Sequence, residues 1–283
     1  MYGALRWLAS TLSASTGRRV FGALSSSAYH LLPNLRGVVA ANQAQVLGLP
    51  SDDPRVRAST REAFELYGRY WHESFLATRW SDDEIRSRFI CDGYDRLERA
   101  LTTGHGAVLA LPHMGNWDVA GRFMATMGKP VVSVAEELRP PELFDLFLRH
   151  RRELGMDIIG LSTDGTVGRQ LTAALAQNRV VALVADRNLA GRGIEVEMFG
   201  KKRMMPAGPA LLSLMSGAAL IAAPVYTTER GWHCIMHEPI TVEPSGNRRS
   251  DVAALTGKLA AAFERAISAA PADWHAFQPA WGP

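Results

Sequence analysis

An α/β fold with a mostly parallel central sheet flanked by helices is predicted by two features of the sequence. From residue 94 to residue 185 short apolar runs alternate with helical segments, the pattern of parallel strands joined by crossover helices. A chain of 283 residues with 47% hydrophobic content is also long enough to bury one sizeable α/β core.

Taken in order, residues 4–48 read as two or three amphipathic helices and 54–80 as a longer one. In the latter Phe64, Tyr67, Trp71 and Phe75 recur at helical spacing and make one aromatic face, the usual mark of core. A helix over 94–102 is followed by strand 107–112, helix 116–127, strand 130–135, helix 141–154, strand 157–161, helix 165–177 and strand 179–185. Strands 194–199, 220–228 and 232–242 then flank a helix over 206–216, and a helix over 249–269 closes the domain. There is no internal repeat, low-complexity tract or long linker. The expected division is an amphipathic helical segment, residues 1–50, and a single α/β domain, residues 51–283.

The net charge is only +3, yet no Asp or Glu occurs before Asp52, whereas Arg6, Arg18, Arg19 and Arg36 do. The same segment carries Tyr2, Leu5, Trp7, Leu8, Leu12, Val20, Phe21, Leu24, Tyr29, Leu31 and Leu32. An unopposed basic, amphipathic start suits an anionic membrane surface, with Trp7 and Tyr29 as interfacial anchors. No apolar stretch approaches the ~20 residues of a membrane span, so peripheral attachment is expected. The alternative is that these helices simply pack on the main domain. Arg18 and Arg19 interrupt the place where a signal peptide would have its apolar core and cleavage site.

Cys91 and Cys234 are too few for a disulfide scaffold and form no metal-spaced cluster, and a reducing compartment is the simpler assumption. The His residues are scattered singly, which disfavours zinc. No Ser or Cys lies in a nucleophile elbow, so a covalent acyl-enzyme has no obvious carrier. Without a Gly-x4-Gly-Lys loop or a dinucleotide Gly fingerprint, nucleotide chemistry is disfavoured, though a nucleotide handle on a substrate is not. No nucleic-acid partner is expected.

The stretch from Ala107 to Gly121 carries the chemistry. His113 follows a buried strand and Asp118 falls in the first turn of the next helix, after Pro112, Gly115 and Asn116 have supplied turn and cap. A bare His-x4-Asp pattern is as readily a capped helix after a core strand. At the carboxyl end of a strand in an open α/β sheet, where ligands bind, it reads as a histidine base oriented by a carboxylate. Such a pair suggests attack by a hydroxyl.

Other polar groups cluster at predicted strand ends. Glu136 and Glu137 follow one apolar run, Asp186 and Arg187 another. Glu195 and Glu197 alternate with Ile194, Val196 and Met198, so period 2 puts both acids on one face. That face is either part of the site or merely the wet side of an edge strand. Lys201, Lys202 and Arg203 precede a Pro-started helix and suggest a phosphate site. Of Arg149, Arg151 and Arg152 in the helix 141–154, at most one is expected to be functional.

Six motifs in order, His113-Met-Gly-Asn-Trp-Asp118, Ser133-Val-Ala-Glu-Glu137, Asp186-Arg-Asn-Leu189, Gly193-Ile-Glu-Val-Glu-Met-Phe-Gly200, Met205-Pro-Ala-Gly-Pro209 and Trp274-His-Ala-Phe-Gln-Pro-Ala-Trp281, resemble the lipid A and phosphatidylinositol mannoside acyltransferases, and within them the actinobacterial phosphatidylinositol mannoside branch. The resemblance runs from about residue 60 to the end. It implies a glycerolipid-acyltransferase-like fold, bound peripherally to the cytoplasmic face of the plasma membrane as a monomer. The implied reaction moves a palmitoyl group from acyl-CoA, a co-substrate and not a resident cofactor, to the mannose 6-hydroxyl of a phosphatidylinositol mannoside. His113 is then the base and Asp118 its orienting partner, with Glu195 as a third catalytic group. Glu136, Arg151, Asp186, Arg187, Glu197 and Arg203 are implied to bind substrate, and whether Glu195 or Glu197 is the third acid stays open. Met198-Phe199 stands where the family often has two Phe. Part of the 54–80 aromatic stripe has a second reading as the wall of an acyl-chain tunnel. Two alternatives are a lauroyl- or myristoyl-type lipid A enzyme using acyl carrier protein, and a non-catalytic lipid-binding protein on the same fold.

Overall fold

The structure is a computed structural model that describes residues 12–136, 140–160, 166–188 and 193–281. Five parallel strands, β2 (Ala107–Leu111), β3 (Val132–Ala135), β4 (Asp157–Gly160), β5 (Val180–Val184) and β8 (Ala219–Ala222), form the central sheet in the order β4-β3-β5-β2-β8. β2 is buried along its whole length because helices cover both faces, which is why its sequence is an unbroken apolar run. Val108 and Ala110 face one core, with helices α8 (Thr166–Ala176), α9 (Gly208–Ser216) and α10 (Arg248–Ala269). Ala107 and Leu109 face the other, with α4 (Asp82–Arg88), α5 (Tyr94–Leu101), α6 (Trp117–Thr126) and α7 (Pro141–Glu153).

The expected α/β alternation is present, with four departures. The predicted strand over 220–228 breaks at Ala223-Pro224, since proline has no N–H for the ladder. β8 stays in the main sheet, and β9 (Val225–Thr227) joins a second sheet, β1-β10-β9, built with β1 (Phe89–Asp92) and β10 (Trp232–Ile235). The strand expected over 232–242 ends at Ile235. There Cys91 lies in register with Cys234, and both thiols are free. The sequence reading also missed α4 and β1, although Ser81 and Glu84 form a complete capping box at the start of α4. Finally, the basic run is a strand: β7 (Lys201–Met205) pairs antiparallel with β6 (Ile194–Met198) across Phe199 and Gly200, both at positive φ, as a two-residue hairpin turn requires.

Helices α1 (Ala14–Leu31), α2 (Pro33–Leu47) and α3 (Pro54–Ala77) lie outside the sheet. α1 crosses α3 closely: a Cβ at Gly17 would meet His72 at 2.4 Å and one at Gly68 would meet Ser25 at 1.8 Å. α2 is tied to the carboxyl-terminal stretch, where Asn42 donates to the carbonyls of Ala276 (2.9 Å) and Gln278 (2.8 Å). Leu24, Leu31 and Leu32 stay exposed, as do Arg18 and Arg19, whereas Phe21 and Tyr29 are buried against α3. Tyr2, Leu5, Arg6, Trp7 and Leu8 lie outside the described residues. Among the described residues no helix is long and apolar enough to cross a membrane.

Candidate active site

β2 and β5 are neighbours in register, with Leu111 opposite Val184. Two residues beyond that pair, on each chain, stand His113 and Asp186. Their side chains meet: His113 Nδ1 lies 2.5 Å from Asp186 Oδ1, which also accepts the His113 backbone N–H at 3.0 Å. Asp186 Oδ2 accepts from the Trp274 indole N–H at 2.7 Å. A carboxylate that accepts a hydrogen bond from Nδ1–H leaves Nε2 as the basic nitrogen. His113 keeps 18% of its side chain exposed, whereas Asp186 keeps 1%.

Both pKa values follow from that enclosure. Burial pushes His113 below the ordinary imidazole value, the Asp186 carboxylate opposes this, and Arg187 and Arg151 add to the lowering. For Asp186 burial acts upward, but His113, Arg187 and the Trp274 hydrogen bond outweigh it and hold the carboxyl well below the usual range. The resting site is therefore a neutral imidazole beside an ionised carboxylate, the state a general base needs.

The expected contact between His113 and Asp118 is not made. Asp118 is fully buried, and its oxygens are bonded to Arg151 Nε (2.9 Å), Tyr70 Oη (2.8 Å) and Ser74 Oγ (2.8 Å). The first turn of α6 directs the carboxylate toward α3 and α7. Burial works against its ionisation, yet the charges of Arg151 and His150 with the two hydroxyl donors keep it ionised. Asp118 thus fixes α6 under the His113 loop and does not orient the imidazole.

That loop is also held from the other side by the carboxyl-terminal stretch. His275 N donates to His113 O (2.7 Å), Gly115 N donates to Asp273 O (3.1 Å), and His275 Nε2 lies 2.9 Å from Gly115 O. Gly115 has φ +58°, and a Cβ there would meet Val225 O at 2.2 Å, so both its conformation and its space require glycine. Because the amides of His113, Met114 and Gly115 are spent on Asp186, Pro112 and Asp273, they are not available as oxyanion donors.

Glu195 is a second correction. It lies on the exposed face of β6 with its carboxylate 2.8 Å from Lys202 Nζ, and no contact links it to His113. Glu197 shares that face, opposite Lys202 in the register. Both are the wet side of an edge hairpin, the other reading that period 2 allowed. Glu136 is exposed at the end of β3, on the same rim as His113, and Glu137 is outside the described residues. Arg151 is buried on Asp118. Arg187 and Arg203 line a cavity beside Asp186.

A narrow apolar cavity of about 60 Å³ runs between the sheet and α6. Leu109, Leu111, Ala182 and Val184 form its sheet wall, and Met124 and Met156 form part of the rest. Asp118 and Arg151 also line it, as does Trp117, whose indole the His113 ring meets edge-on at 5.2 Å. The aromatic stripe of α3 does not line it. Phe64 packs on Tyr29 and Phe277, Tyr67 on Phe277 and His275, and Phe75 on Phe21, so the stripe is core. Tyr70, Ser74 and His150 were not anticipated as parts of the site; the spacing of Tyr70 and Ser74, four apart on one helix face, was the signal available. Among the described residues no cluster of three or more His, Cys, Asp or Glu is placed to hold a metal ion.

Comparison with known proteins bears on this geometry. The family model described as bacterial lipid A biosynthesis acyltransferase matches residues 1–282. The phosphatidylinositol mannoside acyltransferase of Mycobacterium tuberculosis is 40% identical over 246 residues, which covers 85% of this chain and 75% of that protein. Its counterpart in Mycolicibacterium smegmatis is 36% identical over 244 residues, covering 85% of this chain and 77% of the relative.

Proposed function

The chain belongs to the bacterial lipid A biosynthesis acyltransferase family, and on that premise we propose that it transfers a palmitoyl group from acyl-CoA to the mannose 6-hydroxyl of a phosphatidylinositol mannoside. The observation that carries the mechanism is the 2.5 Å pair of His113 and Asp186 beside an apolar cavity. A sugar hydroxyl is a weak nucleophile at its own pKa, so His113 Nε2 takes its proton as the oxygen attacks the thioester carbonyl. Asp186 stabilises the imidazolium that forms. When the tetrahedral intermediate collapses, the C–S bond breaks, the thiolate leaves, and the imidazolium returns the proton to bulk or to sulfur. The new ester carries the acyl group, and His113 is neutral again.

The fatty chain is assigned to the cavity beside Trp117. At about 60 Å³ it is narrow, and methionines are the side chains best able to shift and admit a chain. The acceptor is assigned on the names of the relatives above. The enzyme is taken to work as a monomer, held peripherally at the cytoplasmic face of the plasma membrane. Exposed Leu24, Leu31 and Leu32 together with Arg18 and Arg19 on α1 support that placement.

The test is to incubate purified protein with mannosylated phosphatidylinositol and either palmitoyl-CoA or palmitoyl-acyl carrier protein, following thiol release and product mass. Acylated glycolipid from the CoA thioester, lost in His113→Ala, is expected. Product only from the carrier protein shifts the donor. Product from neither, or undiminished product with His113→Ala, overturns the reading.

A further inference from the structure

The run Lys201, Lys202, Arg203 is divided by the alternation of β7. Lys201 and Lys202 stay exposed, with Lys202 paired to Glu195, whereas Arg203 turns inward and is 7% exposed. Its Nη2 donates to the backbone carbonyl of Asp186 at 2.5 Å. The guanidinium lies over the rings of Trp274 (5.8 Å) and Trp281 (5.4 Å), and its Nε and Nη1 have no hydrogen-bond partner among the described residues. Arg187 is half-buried one residue past Asp186, its Nε is likewise without a partner, and no carboxylate among the described residues forms an ion pair with it.

Both guanidiniums line one cavity of about 230 Å³, together with Asn188, Trp274 and Gln278. Among the described residues the single carboxylate in that lining is Asp186, whose two oxygens are spent on His113 and Trp274. A buried donor left unfilled costs ~1–3 kcal/mol, and a desolvated cation without an anion costs more. Among the described residues, then, two cations face one cavity whose only carboxylate is already committed, and no further carboxylate lines it. A guanidinium fork matches phosphate oxygens in charge and geometry.

We propose that the cavity between Arg187 and Arg203 is a phosphoryl-binding subsite that holds a substrate's phosphate ester on the far side of Asp186 from His113. It rests on the acyl-transfer reading only for which substrate brings the phosphate. A phosphodiester of the acceptor headgroup and a phosphate of the donor's pantetheine arm offer the same chemistry.

Calorimetric titration of the full chain separates these sources without turnover. The probes are glycerophosphoinositol against myo-inositol, and coenzyme A against pantetheine. At least one phosphorylated probe is expected to bind tenfold or more tightly than its phosphate-free counterpart. Arg203→Met and Arg187→Met are each expected to remove at least tenfold of that difference while leaving the phosphate-free probe unchanged. Discrimination for glycerophosphoinositol assigns the acceptor's phosphate, and discrimination for coenzyme A assigns the donor's. Should Arg203→Met fail to fold, Arg187→Met loses no hydrogen bond to a described residue, and the wild-type comparison needs no variant. Wild-type protein that binds neither phosphorylated probe better than its counterpart, or discrimination that survives in Arg187→Met and in any folded Arg203→Met, overturns the subsite. Because binding is read directly, a chain that discriminates phosphate yet transfers no acyl group overturns the proposed function and leaves the subsite standing.

Discussion

Replacing Asp186 by Asn tests the dyad most sharply, because an amide cannot reproduce the three hydrogen bonds that the carboxylate accepts. Oδ1 takes the His113 amide (3.0 Å) and Nδ1 (2.5 Å), and Oδ2 takes the Trp274 indole (2.7 Å), in a position only 1% exposed. If the Asn oxygen faces His113, its NH2 points at the Trp274 N–H, and a buried donor is stranded at a cost of ~1–3 kcal/mol of stability. If the amide flips, the NH2 faces Nδ1, the imidazole must carry its proton on Nε2, and the base is lost. In both orientations the negative charge opposite the imidazolium is gone. In serine proteases the corresponding change lowers kcat by ~10⁴, or about 5 kcal/mol of barrier. A fall of ~10³–10⁴ in kcat is expected here, measured as thiol release at saturating donor and acceptor, with circular dichroism confirming the fold. Asp118→Asn is the control: it loosens Arg151 and is expected to lower the melting temperature. A kcat for Asp186→Asn within tenfold of wild type, with Asp118→Asn losing far more at unchanged stability, would refute the assignment.

The remaining expectations concern the loop, the cavity and pH. Gly115→Ala places a Cβ 2.2 Å from a backbone oxygen at φ +58°, so a loss of roughly 3 kcal/mol or more in urea unfolding is expected, and wild-type stability would contradict the contact. Ala182→Leu fills the sheet wall of the apolar cavity and should lower kcat/KM for long acyl donors at least tenfold while sparing short ones; an unchanged chain-length profile would remove the cavity as the acyl site. Burial, with repulsion from His113 and Arg187, lowers His275 to about 3, against its hydrogen bond to Gly115. An unfolded histidine protonates near 6.5, so the unfolded chain binds the extra proton between about 3 and 6.5, and stability is lost as pH falls through that window. From pH 7 to pH 5 this amounts to about 2 kcal/mol, read from urea midpoints, and His275→Gln should flatten the dependence; equal dependence in both proteins would exclude His275 as the cause.

Much of the fold was legible because the central strands are covered on both faces and therefore read as apolar runs between helices. What was not legible depended on pairing. β1 and β10 are short and meet only in three dimensions, and nothing local marks Phe89 as the start of a strand. The hairpin of Ile194 to Met205 hid because its second strand reads as a cluster of positive charge, and only Phe199-Gly200 signals the turn. At the site, His113 and Asp186 were both visible as polar residues at strand ends. Their partnership was not, since it requires β5 to lie beside β2, and the intervening β3 and β4 conceal that order in the sequence. Asp118, five positions away, looked the nearer partner because sequence distance ignores which way a helix turn points.

Asp118 and Asp186 differ in their counter-ions, and on the proposed mechanism that difference separates their roles. Asp118 is bonded directly to a guanidinium, so its charge is already neutralised and has little left to stabilise a passing imidazolium. The carboxylate of Asp186 stands near two guanidiniums yet bonds to neither: Arg203 gives its hydrogen to the Asp186 backbone carbonyl, and Arg187 pairs with no carboxylate among the described residues. At an effective dielectric near 20, unit charges about 4 Å apart interact by roughly 4 kcal/mol, enough to matter when His113 becomes charged and wasted if the carboxylate were already paired. A phosphate arriving between Arg187 and Arg203 would absorb their positive potential and raise the basicity of His113 when the acceptor or donor is in place. Substrate binding and base strength are then coupled through Asp186, and the proton affinity of His113 should rise in the presence of whichever phosphorylated probe occupies the cavity.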